Sequence, residues 1–376
     1  MSKRPVRVLH IVLSLGEGGG AEKLVHDIVK GCSDEGIESL VCCLDMLGPL
    51  GEQLKEQGHK VYFVKRDRGT DIRLIKKLRR ILVDENITVI HAHQYTPFFY
   101  GVLASILLRD IRVIMTEHGR LYPELHNWKR RLINPVLASM AYCFVAVSES
   151  TRKSMITYDN FPAHKIKVIF NGVMLKHNVM RIDAQAKRES LHLDYSSKIV
   201  GTAARLNDVK NIPMMLRSFK LVLKSVPDTY LLIAGRGEKE AELKVLPVGL
   251  GISDRVKFLG LRNDLPEIYQ LYDVFVLSSF TEGISVTLLE TMNTGIPSIA
   301  TAVGGNCEVV ENNVTGHLVP LDDDKMMAEK IVGLLQDPHK RSMMGKNGTD
   351  RVRQLFSFEG MLKKYIQLYS SSYEKA

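Results

Sequence analysis

Short apolar runs alternate with segments of helical periodicity along nearly the whole chain, and this alternation limits the fold more than any other feature. It predicts parallel β-sheets with helices packed on their faces. The runs are apolar almost throughout rather than at every second residue, which is typical of strands buried on both sides of a sheet. The chain is therefore expected to belong to the α/β class.

The alternation forms two series separated by a polar, basic stretch at residues 176–197 that lacks a strand pattern. In the first series we predict strands at 6–13, 39–44, 60–64, 89–92, 112–116, 143–147 and 167–169, and helices at 21–32, 71–84, 98–108, 128–141 and 150–157. In the second we predict strands at 199–203, 230–234, 256–259, 274–277 and 298–301, and helices at 212–226, 238–246, 265–271, 284–293, 307–310 and 324–336. These series predict tandem domains at 1–175 and 176–355, followed by a segment at 356–376 that contains an amphipathic helix at 358–369.

The length of 376 residues and the hydrophobic content of 45% are sufficient for two domains with cores of their own. No apolar run approaches the length of about 18 residues that a transmembrane helix needs, so none is expected. The apolar run at 6–13 is short and lacks a small-residue cleavage site, so we predict no signal peptide and a cytoplasmic location. The five cysteines form an odd set without metal-binding spacing, which indicates reduced, mostly buried thiols.

The formal net charge is +9, and the excess is concentrated in residues 1–175. One basic cluster lies at 73–80 and another at 129–131, and each shares a predicted helix with apolar residues. A basic amphipathic helix can lie on anionic lipid, but a surface helix can also be basic without binding anything. We favour an ordinary surface helix for 73–80. For 129–131 both interpretations stay open, so peripheral contact with the inner face of the cytoplasmic membrane is one hypothesis.

Two carboxylates, Glu282 and Glu290, flank a predicted strand-to-helix turn. Glu282 follows the predicted strand at 274–277, and ligands of open α/β sheets bind at the carboxyl ends of strands. The amides of Gly283, Ile284 and Ser285 are expected to open the helix and to suit a phosphate. Glu290 lies among apolar helix residues and needs a hydrogen-bonding partner, such as a ribose or hexose hydroxyl. Alternatively, Glu282 is a loop acid favoured by the helix dipole and Glu290 faces solvent.

A glycine-rich loop at residues 16–20 follows the first predicted strand directly. Its glycines allow a sharp turn and a close approach of the backbone to a ligand. Gly16, Gly18 and Ala21 formally satisfy the dinucleotide fingerprint, but the nearest acid for a ribose, Asp45, comes late in the sequence. The loop is therefore either a ligand loop, through Gly18, Gly19 and Gly20, or a simple turn.

Two cations, Arg205 and Lys210, follow the first predicted strand of the second domain. Arginine supplies a fork of donors and lysine a point charge, so together they can hold a diphosphate. The alternative is a surface loop in which Arg205 pairs with Asp208. Two further strand–glycine–helix junctions, at 235–238 and 303–306, provide either backbone donors or tight turns.

His118, within Glu117-His118-Gly119, ends another strand of the first domain and can be a donor, an acceptor or a base. The alternative is a structural histidine bonded to the backbone. His91 and His93 face one side of their strand, but no third ligand is evident, so zinc is not expected. The acidic run 322–324 precedes a helical segment, where acids act as caps, and we predict no metal there.

Together these motifs resemble the retaining glycosyltransferases of family 4, whose architecture of two Rossmann-like domains is called GT-B. The resemblance spans nearly the whole chain and is greatest to bacterial members that build exopolysaccharide or lipopolysaccharide. The residues that carry it are the glycine loop at 16–20, Glu117-His118-Gly119, Val145-Ala146-Val147-Ser148, Asn171-Gly172-Val173, Arg205 with Lys210, Glu282 and Glu290 with Gly283, Gly295-Ile296-Pro297, and Ala302-Val303-Gly304-Gly305.

The resemblance implies a GT-B fold in which both domains face a central cleft and the C-terminal helix crosses back to the N-terminal domain. It implies that Arg205 and Lys210 neutralise the diphosphate of a nucleotide-sugar donor and that Glu282 holds sugar hydroxyls. The amides at 283–285 would assist, and Glu290 would bind the ribose. The loop at 18–20 would approach the diphosphate and the acceptor, and His118 would contact the donor sugar.

The implied activity is transfer of a sugar from a UDP- or GDP-linked donor to a saccharide or lipid-linked acceptor with retention of configuration. No metal, no cofactor and no nucleic-acid partner are expected. One alternative is a non-catalytic subunit that only binds nucleotide sugars. The other is an NAD-dependent dehydrogenase, which leaves Arg205, Lys210, Glu282 and Glu290 without a role.

Overall fold

The computed structural model describes residues 5–17, 19–108, 110–119, 128–175 and 182–370. The chain forms two compact units, unit 1 with Met1–Asn171 and Glu359–Ala376, and unit 2 with Gly172–Phe358. The unit boundaries therefore fall at 171/172 and 358/359, where the sequence predicts 175/176 and 355/356.

Unit 1 contains a seven-stranded sheet in the order β3-β2-β1-β4-β5-β6-β7. All of its strand pairs are parallel. The strands are β1 (Arg7–Ser14), β2 (Glu38–Met46), β3 (Val61–Phe63), β4 (Val89–His93), β5 (Arg112–Glu117), β6 (Cys143–Ala146) and β7 (Ile166–Val168). The order reverses between β1 and β4, which places a topological switch point, where such sheets bind ligands, beside these two strands.

The helices of unit 1 follow the predicted pattern with one addition, α2. They are α1 (Gly20–Asp34), α2 (Pro49–Glu56), α3 (Ile72–Asp84), α4 (Tyr95–Ser105), α5 (Trp128–Met140) and α6 (Glu149–Thr157). Buried residues of β1, β2, β4, α3 and α4 form the main core of this unit, and residues of α1 and α2 form a second cluster on β1 and β2. Helices therefore cover the sheet, as its apolar strands require.

Unit 2 contains a six-stranded parallel sheet in the order β10-β9-β8-β11-β12-β13. Its strands are β8 (Lys198–Ala203), β9 (Thr229–Ala234), β10 (Val256–Gly260), β11 (Val274–Leu277), β12 (Ser298–Thr301) and β13 (Gly316–Val319). Its helices are α7 (Ala184–Ser190), α8 (Ile212–Ser225), α9 (Glu240–Leu250), α10 (Leu265–Tyr269), α11 (Val286–Asn293), α12 (Asn306–Val309), α13 (Asp324–Gln336) and α14 (Pro338–Leu355). Here the switch point lies between β8 and β11.

The last helix, α15 (Phe358–Ser370), returns from unit 2 to unit 1, as the sequence analysis predicts. The two segments that pass between the units lie side by side: the Val173 amide donates to the Phe356 carbonyl at 2.9 Å, and the Phe358 amide donates to the Val173 carbonyl at 3.0 Å. Gly172 is required beside them, because a Cβ at this position would lie 2.5 Å from the Ser357 carbonyl oxygen.

Four elements were not predicted, namely α2, α7, β13 and α14. The case of α14 has a clear physical reason. Its sequence is polar and contains Gly345 and Gly348, so it lacks a continuous apolar stripe. The helix is instead fixed by close packing, since a Cβ on Gly345 would lie only 1.9 Å from the Gly295 carbonyl oxygen. Within the residues that the structure describes, no helix has both the length and the apolar character needed to cross a bilayer.

Candidate active site

The switch point of unit 2 brings together two of the predicted site residues. Lys210 follows β8 and Glu282 follows β11, and Lys210 Nζ lies 2.6 Å from Glu282 Oε1. Both side chains are largely buried, with exposed fractions of 21% and 9%. The predicted cation and the first predicted carboxylate therefore form one ion pair at the carboxyl edge of the sheet.

Lys210 is positioned by its backbone. It ends a short 3-10 helix at Asp208–Lys210, and Asn211 then adopts a left-handed conformation with φ 45°. The Ser278 hydroxyl is 2.9 Å from the carbonyl oxygens of both Lys210 and Asn211, and the Phe280 amide donates to the Val209 carbonyl at 2.8 Å. The lysine loop is thereby fastened to the segment that follows β11.

Glu282 is held by both its side chain and its backbone. The Ser279 hydroxyl donates to Glu282 Oε1 at 2.6 Å, and the Gly305 amide donates to the Glu282 carbonyl at 3.1 Å. Gly304, with φ 48°, and Gly305 pass so close that a Cβ would lie 2.0 Å from the Glu282 carbonyl oxygen and 1.6 Å from that of Gly283, respectively. The junction at 303–306 is therefore a backbone support for the Glu282 loop.

Arg205 lies in an exposed position of the loop after β8. Its neighbours are fixed by the junction at 235–238, since the Leu206 amide donates to the Arg236 carbonyl at 2.9 Å. A Cβ on Gly235, which has φ 126°, would lie 2.0 Å from the Ala204 carbonyl oxygen. Asp208, the alternative partner that the sequence suggests for Arg205, pairs with Lys239 at 3.4 Å.

The helix that follows Glu282 begins two residues later than predicted. Ser285 is the N-cap of α11, and its hydroxyl accepts from the Leu288 amide at 3.3 Å. The predicted helix start at Ile284 is therefore wrong, because Ser285 caps the helix and its first turn begins after that residue. The first helical amides belong to Val286 and Thr287.

Glu290, the second carboxylate, has a protein partner that the sequence did not reveal. The hydroxyl of the buried Tyr269, at the end of α10, donates to Glu290 Oε2 at 3.1 Å. Burial, followed by the charge of Glu290, raises the pKa of Tyr269 well above its usual value, so the phenol remains a donor. A carboxylate on an apolar helix is thus satisfied by a phenol, and it is neither solvent-facing nor dependent on a ligand.

In unit 1, His118 is the end of a buried histidine layer rather than an isolated histidine. His10 from β1 and His91 and His93 from β4 lie beside it, and Tyr365 and Tyr369 of α15 cover the layer. The β1–β4 register places His10 opposite His91. The third histidine near His91 and His93, which the sequence analysis did not find, is therefore His10.

Three of these side chains, His10, His91 and His93, have ring nitrogens within 4.8 Å of one another. This distance meets the first geometric requirement of a metal site. The ring nitrogens of His91 and His93 are all engaged in other contacts, however. Both nitrogens of His91 are 2.7 Å from hydroxyls, those of Tyr369 and Thr116, and both nitrogens of His93 contact other histidines. A metal would have to displace these hydrogen bonds, so the arrangement favours neutral, hydrogen-bonded rings.

Burial keeps the layer neutral. It lowers the pKa of His10 to about 3 and that of His118 to about 4. For His91 and His93, burial and then the neighbouring histidines hold the pKa well below its usual value. Burial thus favours an uncharged imidazole at His118 at neutral pH.

The remaining predicted residues have simpler positions. Gly18 lies outside the described residues, as do residues 120–127 and 176–181. Gly19 is the N-cap of α1, which begins at Gly20. The acids 322–324 are all engaged: Asp323 caps α13, Asp324 pairs with Arg217, and Asp322 accepts a hydrogen bond from Asn211. The predicted capping role is confirmed for Asp323.

The dehydrogenase interpretation is weakened by Asp45. At the end of β2, both of its carboxylate oxygens accept hydrogen bonds from Arg66, at 3.0 and 3.1 Å. The acid that this interpretation needs for a ribose is therefore already paired with a guanidinium.

Comparison with known families agrees with the geometry in both units. Residues 18–177 match the family model described as Glycosyltransferase Family 4, and residues 183–351 match the model described as Glycosyl transferases group 1. The two matches together span most of the chain, and the gap between them falls within the predicted linker at 176–197.

Two similar proteins have names that refer to glycosyl groups. The chain is 25% identical over 357 residues to N-acetyl-alpha-D-glucosaminyl L-malate synthase of Bacillus anthracis, covering 85% of this chain and 91% of that protein. It is 27% identical over 307 residues to UDP-Gal:alpha-D-GlcNAc-diphosphoundecaprenol alpha-1,3-galactosyltransferase of Escherichia coli, covering 80% and 79%. The solved structure of Anabaena HepE in complex with UDP-glucose matches with a TM-score of 0.86 and 24% identity, covering 97% and 99%, and confirms the GT-B fold.

Proposed function

The chain belongs to glycosyltransferase family 4, and from this premise we propose that it transfers a sugar from a UDP- or GDP-linked donor to a saccharide or lipid-linked acceptor. The proposed product is part of a bacterial surface polysaccharide, and the anomeric configuration is retained. Support for a uridine donor comes from the relatives, because the name of the E. coli enzyme contains UDP-Gal and the Anabaena protein was solved with UDP-glucose. The diphosphoundecaprenol in the same E. coli name supports a lipid-linked acceptor.

The observation that carries this proposal is the ion pair of Lys210 and Glu282 across the β8–β11 switch point. An ammonium suits a phosphate and a carboxylate suits sugar hydroxyls. Because Nζ and Oε1 are only 2.6 Å apart, a phosphate on the lysine and a sugar on the carboxylate would be direct neighbours. In a nucleoside diphosphate sugar, a phosphate and a sugar are direct neighbours in this way.

The proposed chemistry is electrostatic. When the sugar–phosphate bond breaks, negative charge develops on the diphosphate, and Lys210, Arg205 and the first amides of α11 would stabilise it. Retention follows if the acceptor attacks from the face that the diphosphate leaves, with a phosphate oxygen taking the acceptor's proton. This route needs no nucleophile from the protein and no metal ion.

Glu290 and Tyr269 are proposed to hold the nucleoside. Tyr269 occupies one carboxylate oxygen, Oε2, and orients the group. An oriented carboxylate suits ribose hydroxyls, which are good donors to it.

The proposal is tested with the Glu282→Ala and Arg205→Ala variants, assayed for transfer with a panel of UDP- and GDP-sugars and lipid-linked saccharides. Both variants are expected to stay folded and to lose transfer. The matched control is Arg217→Ala, which removes another cation of unit 2, one paired with Asp324 at 2.6 Å outside the proposed site. Full activity in both site variants would refute the site.

Ligand binding separates the proposed function from its alternatives. UDP or GDP should raise the melting temperature of the protein and NADH should not, since only a ligand of the native state stabilises it. A protein that binds UDP or GDP but turns over no donor with any acceptor would be a binding subunit instead.

We also propose that helix α5 rests on an anionic membrane surface. Trp128, Leu132 and Val136 are spaced four residues apart and therefore share one face of the helix. Their exposed fractions are 66%, 70% and 61%, an unusual amount of apolar surface for one helix. Lys129 and Arg131 lie in the same first turn of the helix and supply the positive charge that favours anionic lipid.

Co-sedimentation with liposomes tests this contact. Binding is expected to vesicles that contain phosphatidylglycerol and to be weak with pure phosphatidylcholine, and Leu132→Ser should reduce it. The control is Val83→Ser, at an exposed apolar residue of α3 in the same unit. Equal binding to both vesicle types, or to neither, would refute the proposal.

A further inference from the structure

Three histidines of unit 1 form a hydrogen-bonded chain that ends at His118. Nδ1 of His10 lies 3.1 Å from Nε2 of His93, and Nδ1 of His93 lies 3.0 Å from Nε2 of His118. Successive rings are stacked, with interplanar angles of 15° and 21°. The chain therefore uses both nitrogens of His93 and one nitrogen of each terminal ring.

The number of protons leaves only two arrangements. Three neutral imidazoles carry three N–H protons, and each of the two links needs one. The third proton must then sit at one end of the chain, on Nε2 of His10 or on Nδ1 of His118. Neither atom has a hydrogen-bond partner among the described residues.

Both atoms are shielded from solvent, but the His10 ring is fully buried whereas His118 is only partly buried. His10 has no exposed surface, so a proton on its Nε2 would be a buried donor without an acceptor. Orphaned buried N–H groups are rarer than under-satisfied acceptors, because the lost hydrogen bond is costly. His118 lies at the carboxyl edge of the sheet, after β5, where ligands of parallel sheets bind. The third proton is therefore favoured at His118.

We propose that His10 and His93 are positioning residues that hold His118 as a neutral imidazole with its proton on Nδ1, a hydrogen-bond donor to an oxygen of the bound donor sugar. The inference rests on the proposed function for the presence of that sugar. It selects one of the three roles that the sequence leaves open for His118, since a ring held in this tautomer donates from Nδ1 and is not a base there.

The surroundings of the chain support this assignment. The low pKa values of His10 and His118, near 3 and 4 because of burial, keep the rings neutral at working pH. His91 packs beside the three hydrogen-bonded histidines but does not bond to them, because its two nitrogens face the hydroxyls of Tyr369 and Thr116. Hydroxyls can donate or accept, so His91 imposes no tautomer on its neighbours.

The direct test is the tautomer of His118 in the ligand-free wild-type protein. Histidine labelled with ¹⁵N gives distinct long-range ¹H–¹⁵N correlations for each tautomer and for the charged ring, and the His118 signals are assigned by their loss in His118→Phe. A proton on Nδ1 and none on Nε2 is expected at pH 7.5. A proton on Nε2 alone, or a charged ring, would overturn the inference.

Variants of His10 test the positioning role through a residue that does not touch the ligand. His10→Asn keeps an N–H close to the place of Nδ1, whereas His10→Leu removes it. In His10→Leu we expect the His118 proton to move to Nε2 and kcat to fall about tenfold, the effect of one misplaced hydrogen bond. In His10→Asn both the tautomer and kcat should stay close to wild type.

The matched control is Tyr369→Phe, which removes the hydroxyl 2.7 Å from His91 in the same layer but leaves the chain intact. It should lower the melting temperature without changing the tautomer or kcat. If Tyr369→Phe lowers kcat as much as His10→Leu does, the role of His10 is only structural and the inference is wrong. If His10→Leu does not fold, the wild-type spectrum still decides.

Failure of the inference is distinguishable from failure of the proposed function. The tautomer of the free protein can be measured whether or not any donor is bound or turned over. A protein that transfers sugar while His118 carries its proton on Nε2 would contradict this inference alone. A protein with the expected tautomer that binds no nucleotide sugar would contradict the proposed function.

Discussion

Acidification from pH 7.5 to 5.5 should destabilise unit 1 strongly, because four buried histidines are neutral in the folded state. These are His10, His91, His93 and His118, and burial is the main cause of the low pKa of each. In the unfolded chain each histidine takes up a proton near its usual pKa of about 6.5. Below that pH the unfolded state binds more protons than the folded state, so stability falls as the pH falls.

The size of the effect follows from the same values. A histidine with a pKa of about 6.5 when unfolded, and one that stays neutral when folded, loses about 1.4 kcal/mol between pH 7.5 and 5.5. The folded-state pKa values of about 3 for His10 and about 4 for His118 lie well below this window. Four such histidines together account for about 5 kcal/mol, against a typical unfolding free energy of about 5–15 kcal/mol.

Urea unfolding at the two pH values measures this loss. The single tryptophan, Trp128, lies in α5 of unit 1, so its fluorescence reports this unit rather than unit 2. His10→Leu should reduce the pH dependence by about a quarter, since it removes one of the four groups. The control is His164→Gln, an exposed histidine of the same unit, which should leave the dependence unchanged.

A free energy of unfolding that differs by less than about 1 kcal/mol between pH 7.5 and 5.5 would refute the argument. It would mean that the histidine layer is charged or hydrated in the folded state. The tautomer argument for His118 would then lose its basis too, because it counts the protons of neutral rings.

Two further predictions concern unit 2 and one concerns the transfer reaction. Gly305→Ala should displace the loop of Glu282, because the added Cβ would lie 1.6 Å from the Gly283 carbonyl oxygen. The rate of sugar transfer should then fall more than about tenfold. The control is Gly333→Ala, where the added Cβ meets nothing within 4 Å. Tyr269→Phe should weaken UDP binding by up to about tenfold in calorimetry, since Glu290 loses the donor at 3.1 Å that orients it; unchanged affinity would argue against the nucleoside role. Transfer should continue in excess EDTA, and loss of activity that Mg²⁺ or Mn²⁺ restores would contradict the metal-independent mechanism.

The sequence was sufficient for most of the fold because the strands are strongly apolar and the helices strongly periodic. Elements with weak patterns were missed for the same reason. β13 begins with Gly316 and His317 and so lacks a continuous apolar run. The helix α14 depends on the contact of Gly345 with Gly295, which no periodicity reveals. The predicted start of α11 at Ile284 is two residues early because Ser285 caps the helix, and the apolar character of Ile284 does not show this.

For the site, the sequence identified residues but not their partners. The edge of the sheet was predictable, since residues after parallel strands converge there, and Lys210 and Glu282 do meet. The contacts that orient the site residues depend on strand register and on segments that are distant in sequence. Tyr269, for example, lies 21 residues from Glu290, and nothing in the local pattern of α10 marks its hydroxyl as the partner.

The histidine layer shows which features of the site the sequence reveals and which depend on the tertiary fold. The alternation of side chains along a strand places His91 and His93 on one face, which the sequence reveals. Only the pairing of β1 with β4 places His10 beside them, and only the return of α15 brings Tyr365 and Tyr369 over the same face. Each neutral imidazole has one N–H proton. The presence of His10 in the hydrogen-bonded row of histidines therefore affects which nitrogen of His118 carries its proton. The chemical role of His118 therefore depends on the tertiary fold as much as on its own sequence motif.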